Sequence, residues 1–503
     1  MKKLSRLFRY LIYIMPLMLI FSYFPLMKLG ENETMYFELS LPLMWLVLFD
    51  IVGFIMVILK YWREIFTKIF GSALFWLFPL FVTFSVIWSL NPLRGFLTVG
   101  VMWAVFFAVL WMWEFREQLD AGFWRVFFRW FFGSAIFVSL WCVVQCVLNT
   151  VGVSQEALLL CDGCVYQMFG FPRANGFAIE PQFMGNLLLA PILVILWMIT
   201  NNSSAPRTRV ARARRYGARA LFLGRDLRTV LEALLLFVLS ATLFLTMSRG
   251  AIYAGMVGVC FLFAFSYFGA RKAERKKTCF SILKTIGVIL ISFAFALNLQ
   301  GIFAASSPTN DTYLDGVSKV LNQLSLGVID LKGGEAEPVE NSEITEGNNE
   351  NVENGVVENS EAEGADKSIY DGYVEESTDT RVRLFNAALS VWRSDFKTIF
   401  VGVGIGGAGQ ALYDNGLSPA PREIVQNEYA SLLLETGVIG VSLFVILVVM
   451  VVRVFLKSSC PGLLLALVVA YGVSLLFFSG LTNALQIVLL PGLLVLLPKV
   501  KKC

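Results

Sequence analysis

The chain has 503 residues, of which 57% are hydrophobic and 14% aromatic, and its mean hydropathy is +0.69. This balance lies well outside that of soluble globular proteins and indicates an integral membrane protein. The formal net charge of +4 says little about partners, because basic loops are offset by an acidic segment, and we expect no nucleic-acid partner.

Long apolar runs follow one another along the chain. A helix needs roughly 20 apolar residues to cross a bilayer, whereas a barrel strand needs roughly ten alternating ones. The runs therefore predict an all-α polytopic membrane protein with about twelve transmembrane helices. We expect the first run to be a retained helix, because no small-residue cleavage site follows its basic leader. The runs cover approximately residues 8–27, 41–59, 69–90, 95–113, 126–150, 183–200, 229–247, 250–270, 280–300, 433–456, 461–479 and 482–498.

Lysine and arginine collect in segments that all fall on one side if the N-terminus is cytoplasmic. Cytoplasmic loops of membrane proteins carry an excess of these residues, so the pattern predicts an N-in and C-in topology. The basic segments are KYWREIFTK, APRTRVARARRYGARALFLGRDLR, RKAERKK, RVFLK and the tail KVKKC.

This topology places four segments outside and divides the chain into four parts. The outer segments are a short loop near GENETMYFE, the loop 151–182, the turn Ser248–Gly250, and a large extracytoplasmic loop 301–427 between helices 9 and 10. The predicted parts are 1–150 with helices 1–5, 151–300 with helices 6–9, the outer loop 301–427, and 428–503 with helices 10–12.

Arg249 interrupts an otherwise apolar stretch, in the short turn predicted to be outside. An arginine in this position is either an interfacial anchor or a functional group. The positive-inside bias disfavours arginine on this face, which favours a functional role. Arg173 and Glu180 occupy the loop 151–182, which is either a plain connection or part of a site.

Cysteine and histidine usage argues against a metal site. Cys161 and Cys164 are predicted to face an oxidising compartment, where a local disulfide and free thiols are the open alternatives. A zinc site would require a second pair of cysteines or histidines as ligands, and the chain has no histidine. The other cysteines are expected to pack in or beside membrane helices: Cys142, Cys146, Cys260, Cys279, Cys460 and Cys503.

The large outer loop begins with an acidic segment, about 306–370, that is rich in Asn, Gly and Ser. Such a segment buries too little apolar surface to fold, so we expect it to be disordered. An amphipathic helix is predicted next at the outer membrane surface, over about 380–396, with Ser377 or Thr378 as its cap. Its arginines are either solvated charges or ligands. Its apolar stripe is Leu384, Ala388, Val391 and Trp392, and its arginines are Arg381, Arg383 and Arg393.

A glycine-rich stretch, FVGVGIGGAGQALYDNG, follows this helix. Gly402, Gly404 and Gly407 satisfy the GxGxxG pattern of dinucleotide sites, but no predicted strand precedes them and no βαβ unit surrounds them. We expect the glycines to allow tight turns and a close approach to a ligand or a helix. The polar residues that then lead into the tenth run are Gln426, Asn427, Glu428 and Glu435.

Four motifs, taken in order, resemble the O-antigen ligase and polymerase superfamily, whose members handle polyprenyl-diphosphate-linked glycans. The motifs are RANGFAIEPQFMGNLLL, LTMSRGAIYAG, IFVGVGIGG and QNEYASLLLETGVIG, within about residues 170–445. The resemblance implies a GT-C-like, multi-helix glycosyltransferase of the bacterial inner membrane with its site on the extracytoplasmic face. It also implies that arginines hold the lipid diphosphate, and the matching positions are Arg173, Arg249, and Arg381 or Arg383.

One position departs from the family pattern. Family ligases, which move a finished glycan onto lipid A core, use a histidine where this chain has Gln426. A mechanism that needs histidine is therefore excluded. The predicted function is polymerisation of undecaprenyl-diphosphate-linked oligosaccharide repeat units, with ligation to lipid A core or another acceptor as the alternative.

The residue types suit glycosyl transfer. Guanidinium groups bind phosphate oxygens in a bidentate manner and stay charged at physiological pH. The acceptor hydroxyl benefits from a general base, which must be a carboxylate if histidine is absent. Glu428 ranks first for this role, Glu180 second and Glu435 third. Supporting contacts are expected from Gln426, Asn427, Gly404 and Gly406, without a metal or a cofactor.

A transporter or lipid flippase is the main alternative from another class, and a non-catalytic scaffold is a third. Asp50 lies within the second apolar run, where a carboxylate is typical of a functional site unless it pairs with a neighbouring helix. Carriers also tend to show internal repeats, and the two halves of this sequence show none. The partners expected for a polymerase are membrane lipids, a repeat-unit flippase and a chain-length regulator.

Overall fold

The computed structural model describes residues 2–22, 25–32, 35–61, 73–160, 173–204, 225–306, 312–325, 369–479 and 484–498. Each of the twelve apolar runs contains a helix, as expected where backbone polar groups must be hydrogen-bonded without water. The helices are α1 (Lys2–Ile20), α2 (Leu41–Tyr61), α3 (Ala73–Ser85), α4 (Pro92–Glu114), α5 (Ala121–Thr150), α6 (Pro181–Ser204), α7 (Arg225–Leu245), α8 (Arg249–Gly269), α9 (Lys272–Ala305), α10 (Tyr313–Ser325), α11 (Ile369–Trp392), α12 (Phe396–Val401), α13 (Ala408–Asp414), α14 (Glu428–Leu456), α15 (Pro461–Ser474) and α16 (Gln486–Leu494).

Seven of the described helices are long and apolar enough to cross a membrane: α2, α4, α5, α6, α8, α9 and α14. Three shorter apolar helices lie within residues 74–88, 229–245 and 461–474. These helices support the predicted helical, polytopic membrane protein. The number of about twelve spans and the N-in, C-in orientation stay predictions.

A two-stranded hairpin departs from the all-α expectation. Strand β1 (Pro25–Asn32) pairs antiparallel with β2 (Met35–Ser40), directly before α2. Pro25 lies opposite Ser40 at the open end of the hairpin, and Asn32 lies opposite Met35 at its turn. The hairpin occupies the region that the sequence predicts to be the first outer loop.

The acidic insert predicted over 306–370 also requires a correction. Its first part forms α10, which packs along α9. The Tyr313 hydroxyl donates a hydrogen bond to Asn298 of α9 at 2.7 Å, and Tyr253 of α8 donates to the carbonyl of Leu324 at 2.5 Å. The prediction of disorder is therefore wrong for α10, and most of the rest of the insert lies outside the described residues.

The predicted amphipathic helix has different ends in the structure. It begins at Ile369, so Ser377 and Thr378 lie inside it instead of capping it, and it ends at Trp392 instead of 396. Asp395 explains this end, because its extended backbone and its side chain cap the next helix, α12. The buried side chains of α11 include Leu384, Ala388 and Val391.

The cysteines of the described segments are free thiols. Cys142, Cys146 and Cys460 are buried, whereas Cys260 on α8 and Cys279 on α9 are exposed. Burial raises the pKa of the Cys460 thiol to about 12, so it stays protonated. The expectations for Cys161, Cys164 and Cys503 fall outside the described residues.

Asp50 on α2 faces the neighbouring helix α4. Its carboxylate lies beside the indole of Trp111, and Gly53, about one turn further along α2, packs against the same ring. One carboxylate oxygen of Asp50 and the indole nitrogen of Trp111 are both buried without a hydrogen-bond partner among the described residues, so a functional role and pairing with a neighbouring helix stay open alternatives.

The packing of four helices positions the polar residues of interest. α8 packs mainly against α15 and α6, while α14 contacts α3, α11, α12 and α15. These contacts gather the starts of α6, α8 and α14 and the end of α15 at one end of the bundle. We call this the outer end, because the sequence predicts it to be extracytoplasmic.

Candidate active site

The start of α8 has an unusual backbone geometry. Met247 adopts a left-handed φ of 53°, Ser248 caps the helix, and Arg249 is its first residue. The Ser248 side chain accepts a hydrogen bond from the backbone N–H of Ala251 at 3.4 Å. A left-handed conformation is uncommon for a residue with a side chain, and it persists where the surrounding structure fixes it.

The start of α14 repeats this geometry. Gln426 has a left-handed φ of 55°, Asn427 caps the helix, and Glu428 is its first residue. The Asn427 side chain accepts from the backbone N–H of Ala430 at 3.0 Å. The two matching helix starts thus present opposite charges, a cation on α8 and an anion on α14.

The segment 475–479, which follows α15, lies between the two helix starts. Glu428 donates its backbone N–H to the carbonyl of Leu475 at 3.0 Å. On the α8 side, a Cβ placed on Gly250 would lie only 2.7 Å from the Cβ of Phe477, so the two backbones are in close contact. The structure therefore brings the two helix starts to one segment.

The start of α14 is fixed to that segment by side chains as well. Asn427 donates its side-chain N–H to the carbonyl of Leu476 at 3.0 Å, and the Ser479 hydroxyl lies 3.4 Å from a carboxylate oxygen of Glu428. The Glu428 side chain is half-buried, so part of it stays accessible.

Arg173 adjoins the turn that carries Arg249. Its Nε donates to the carbonyl of Thr246 and its guanidinium to that of Met247, both at 3.4 Å. Arg249 itself is only 7% exposed, whereas Arg173 is half-buried. Two of the predicted diphosphate ligands thus lie at one corner of the outer end.

Of Glu180 and its near neighbour Gln182, it is Gln182 that makes the contact with the α8 start. The Glu180 side chain is exposed, and it is its carbonyl that accepts from the N–H of Phe183 at the start of α6. Gln182 accepts a hydrogen bond from the Ser248 hydroxyl, and its Nε2 is buried without a hydrogen-bond partner among the residues that the structure describes. Gln182 lines the α8 start, and the sequence analysis did not single it out.

Arg381 and Arg383 differ in position although they share one helix. The Nε of Arg381 donates to the side-chain carbonyl of Gln426 at 3.2 Å, which links α11 to the start of α14. Arg383 is exposed on another face of α11. Of the two alternatives, the structure brings only Arg381 to the candidate site.

The glycine loop, residues 402–407, packs between the α3–α4 turn and α14. Gly404 and Gly406 have φ values of 88° and 78°, which favour glycine. Gly404 donates its N–H to the carbonyl of Glu435 at 2.9 Å, and a Cβ on Gly406 would lie 2.6 Å from the backbone nitrogen of Gly95. The loop follows the helix α12, so its surroundings differ from those of a dinucleotide site.

Glu435 holds this loop through its carboxylate. The carboxylate accepts hydrogen bonds from the backbone N–H groups of Gly406 and Ala408, the latter at 3.3 Å. Arg94 and Glu428 lie within electrostatic range of it. Because its oxygens are engaged by the loop, Glu435 suits the role of a base less well than Glu428 does.

The turn between α3 and α4, SVIWSLNPLRG at 85–95, is a part of the site that the sequence analysis missed. The Ser89 hydroxyl donates to the carbonyl of Ile405 at 2.8 Å, and Ser85 accepts from the N–H of Ile405 at 3.2 Å. The turn also carries Arg94. One signal was available, namely a polar stretch with an arginine between two apolar runs.

These features define a polytopic helical membrane protein with arginines and a carboxylate gathered at one end of its bundle. Residues 234–445 match the family model described as O-antigen ligase, and this match supports the O-antigen ligase and polymerase superfamily that the motifs indicated. The matched region contains Arg249, Arg381 and Glu428, whereas Arg94 and Arg173 precede it. The chain has no match among curated proteins.

Proposed function

We propose that the protein is a membrane glycosyltransferase that polymerises polyprenyl-diphosphate-linked oligosaccharide repeat units into a surface polysaccharide. The observation that carries the proposal is the placement of Arg249 and Glu428 at matching helix starts on either side of the segment 475–479. Glycosyl transfer needs a cation for the leaving group and a base for the acceptor hydroxyl, and these two residues supply them.

Arg249 and Arg173 bind the diphosphate of the donor. Arg249 is 7% exposed, so its guanidinium acts where little water screens it and its attraction for phosphate oxygens is strong. The backbone N–H groups in the first turn of α8 add positive partial charge at the same place. Together these groups stabilise the negative charge that grows on the leaving diphosphate.

Glu428 takes the proton of the acceptor hydroxyl. The hydroxyl oxygen forms a bond to the anomeric carbon of the donor, while the bond from that carbon to the diphosphate oxygen breaks. The electron pair leaves with the diphosphate, and the proton stays on the carboxylate. The donor is already activated by its diphosphate, so the transfer requires no nucleotide.

The remaining predicted residues keep this arrangement in place. Arg381 fixes Gln426, whose left-handed backbone sets the direction in which α14 begins. Asn427 caps that helix, and Gly404 and Gly406 let the glycine loop pack against it. Each of these residues acts through the position of Glu428 or of the loop.

Ligation of a finished glycan to lipid A core is the second candidate function, because the matching family model is described as O-antigen ligase. Gln426, the residue before Asn427, favours the polymerase, because family ligases use a histidine at this position. The Gln426 side chain is bound to Arg381 and cannot take up a proton at physiological pH.

A polymerase of this kind works in the bacterial inner membrane with its site on the extracytoplasmic face. Its substrate is an undecaprenyl-diphosphate-linked oligosaccharide. The donor must first cross the membrane, so a repeat-unit flippase supplies it, and a chain-length regulator is the partner expected to limit the product.

A reconstituted system tests the proposal. The purified protein is inserted into vesicles, lipid-linked repeat units are added from outside, and the products are separated by size. We expect a ladder of polymer with release of the lipid diphosphate and no movement of the unpolymerised unit across the bilayer. Transfer only to lipid A core would favour the ligase, and transport without new glycosidic bonds would contradict both functions.

A further inference from the structure

Arg94 is a charged residue at the outer end that the proposed mechanism leaves unused. It lies in the first turn of α4, where its backbone N–H donates to the Asn91 side chain at 3.1 Å. Its side chain is half-buried, and its guanidinium forms no hydrogen bond or ion pair within the described part of the chain. A cation that is partly removed from water needs compensation, and five N–H donors are available to bind it.

The nearest carboxylate does not provide this compensation in full. Glu435 attracts Arg94 electrostatically, but the two groups form no ion pair within 4.0 Å, and the carboxylate is held by the N–H groups of Gly406 and Ala408. Arg94 thus lies beside a carboxylate that is already engaged. Its donors remain available to a ligand at the outer end.

The turn that carries Arg94 is firmly placed. Ser85 and Ser89, which are 0% and 8% exposed, are both hydrogen-bonded to the backbone of Ile405. Leu90 donates its N–H to the carbonyl of Val403 at 3.2 Å. A side chain that projects from such a turn is held in one region before any ligand arrives, as a binding site requires.

Arg94 lies on the Glu428 side of the candidate site. Glu435 is within electrostatic range of both Arg94 and Glu428, so these three charges form one group. Arg173 and Arg249 form the other group, at the α8 start beyond the segment 475–479. The outer end therefore holds two separate groups of charged residues, each with at least one arginine.

We infer that Arg94 binds an oxyanion of the acceptor chain, and this inference rests on the proposed function. A polymerase joins two chains that both carry a lipid diphosphate, and the diphosphate of the acceptor stays attached when that of the donor leaves. The arginines at the α8 start serve the donor, so a different cation is needed for the acceptor. The oxyanion is either the acceptor diphosphate or a sugar carboxylate, because guanidinium recognises both.

The test measures donor and acceptor kinetics separately in the Arg94→Gln variant of the full chain. We expect the KM for a lipid-linked acceptor to rise roughly 10- to 100-fold, the loss expected for one hydrogen bond to a charged group. The KM for the donor should stay unchanged, which also shows that the variant is folded. Arg94→Lys should give an intermediate KM, since it keeps the charge and loses the fork.

Arg116→Gln is a matched control, because Arg116 is an exposed arginine just beyond the other end of the same helix. Two further acceptors identify the oxyanion: the same oligosaccharide without its lipid diphosphate, and the lipid-linked form with its sugar carboxylates reduced to alcohols. The penalty of Arg94→Gln should vanish with the first if the diphosphate is bound, and with the second if a carboxylate is bound.

Two results would overturn the inference in different ways. The first applies when the wild-type protein polymerises normally. If the acceptor KM is unchanged in Arg94→Gln, or if it rises by the same factor with every acceptor, Arg94 does not bind an acceptor oxyanion. Absence of transfer by the wild-type protein from any donor to any acceptor would overturn the proposed function itself, and the inference with it.

Discussion

Replacement of Arg249 by lysine separates a diphosphate ligand from an interfacial anchor. The side chain is 7% exposed at the start of α8, beside the turn whose carbonyls bind Arg173. A lysine keeps the positive charge, but its ammonium cannot form the two parallel hydrogen bonds that a guanidinium forms with phosphate oxygens. An anchor at the membrane surface requires no such geometry, because lysine and arginine extend equally well to the interface.

The expected magnitude follows from the burial of the side chain. An exposed ion pair is worth about 0–1 kcal/mol, whereas a preorganised contact in a water-poor site costs roughly 2.7–4 kcal/mol when it is removed from a transition state. Arg249→Ala should therefore lower turnover about 100- to 1000-fold and also weaken donor binding. Arg249→Lys should recover only part of this loss.

The assay is polymer formation in vesicles at matched protein levels, with donor binding measured separately. Arg393→Lys serves as a control, because Arg393 is an exposed arginine just beyond the end of α11 that lies over the ring of Trp392. Full activity of Arg249→Lys at normal expression would refute the reasoning and assign Arg249 to the membrane interface. Arg173 would then be the arginine left at the α8 start to bind the diphosphate.

Four other results are expected. Glu428→Gln should reduce turnover strongly with little effect on donor binding, since it removes the base and keeps the shape; equal turnover would exclude Glu428 as the base. Deletion of residues 333–366 should leave insertion and activity nearly intact, because an acidic segment with few apolar residues contributes little packing, and loss of folded protein would show that the segment is ordered. Hydrogen bonds from the side chain and the backbone of Thr398 lower the pKa of Asp395. The Asp395 carboxylate therefore stabilises α12 fully above the ordinary aspartate pKa, and this stabilisation is lost as the pH falls through the lowered pKa. The difference in thermal stability between the wild type and Asp395→Ala should shrink in acid, and a constant difference would contradict this role. Reporter fusions after about residues 90, 165 and 350 should report an extracytoplasmic position and those after 215 and 275 a cytoplasmic one, whereas a cytoplasmic result at 165 would remove the site from the outer face.

The helices were predictable because the bilayer leaves the backbone few alternatives, so apolar runs correspond directly to helices. α10 was missed because acidic residues surround it. Its apolar residues nevertheless recur at helical spacing, as Leu314, Val317, Leu321 and Leu324 show.

The candidate site was predictable only where a charge interrupts an apolar stretch. Arg249 stood out in this way and Glu428 through the polar stretch before the tenth run, but the left-handed backbones of Met247 and Gln426 carry no sequence signal, since neither residue is a glycine. Arg94 was missed because its turn is only a short polar segment between two apolar runs. Its importance comes from contacts with distant parts of the chain, which periodicity does not record.

The contact between the α3–α4 turn and the glycine loop has a consequence for biogenesis. Ser89 and its partner Ile405 are 316 residues apart in the chain. At a synthesis rate of roughly 5–20 residues per second, the turn leaves the ribosome about 15 to 60 s before its partner exists. During that interval the Ser85 and Ser89 hydroxyls lack their final neighbours, so α3 and α4 enter the bilayer as a provisional pair. The outer end of the bundle therefore closes last, after translation has passed residue 479, and a chain that is truncated before that point is expected to insert without acquiring the candidate site.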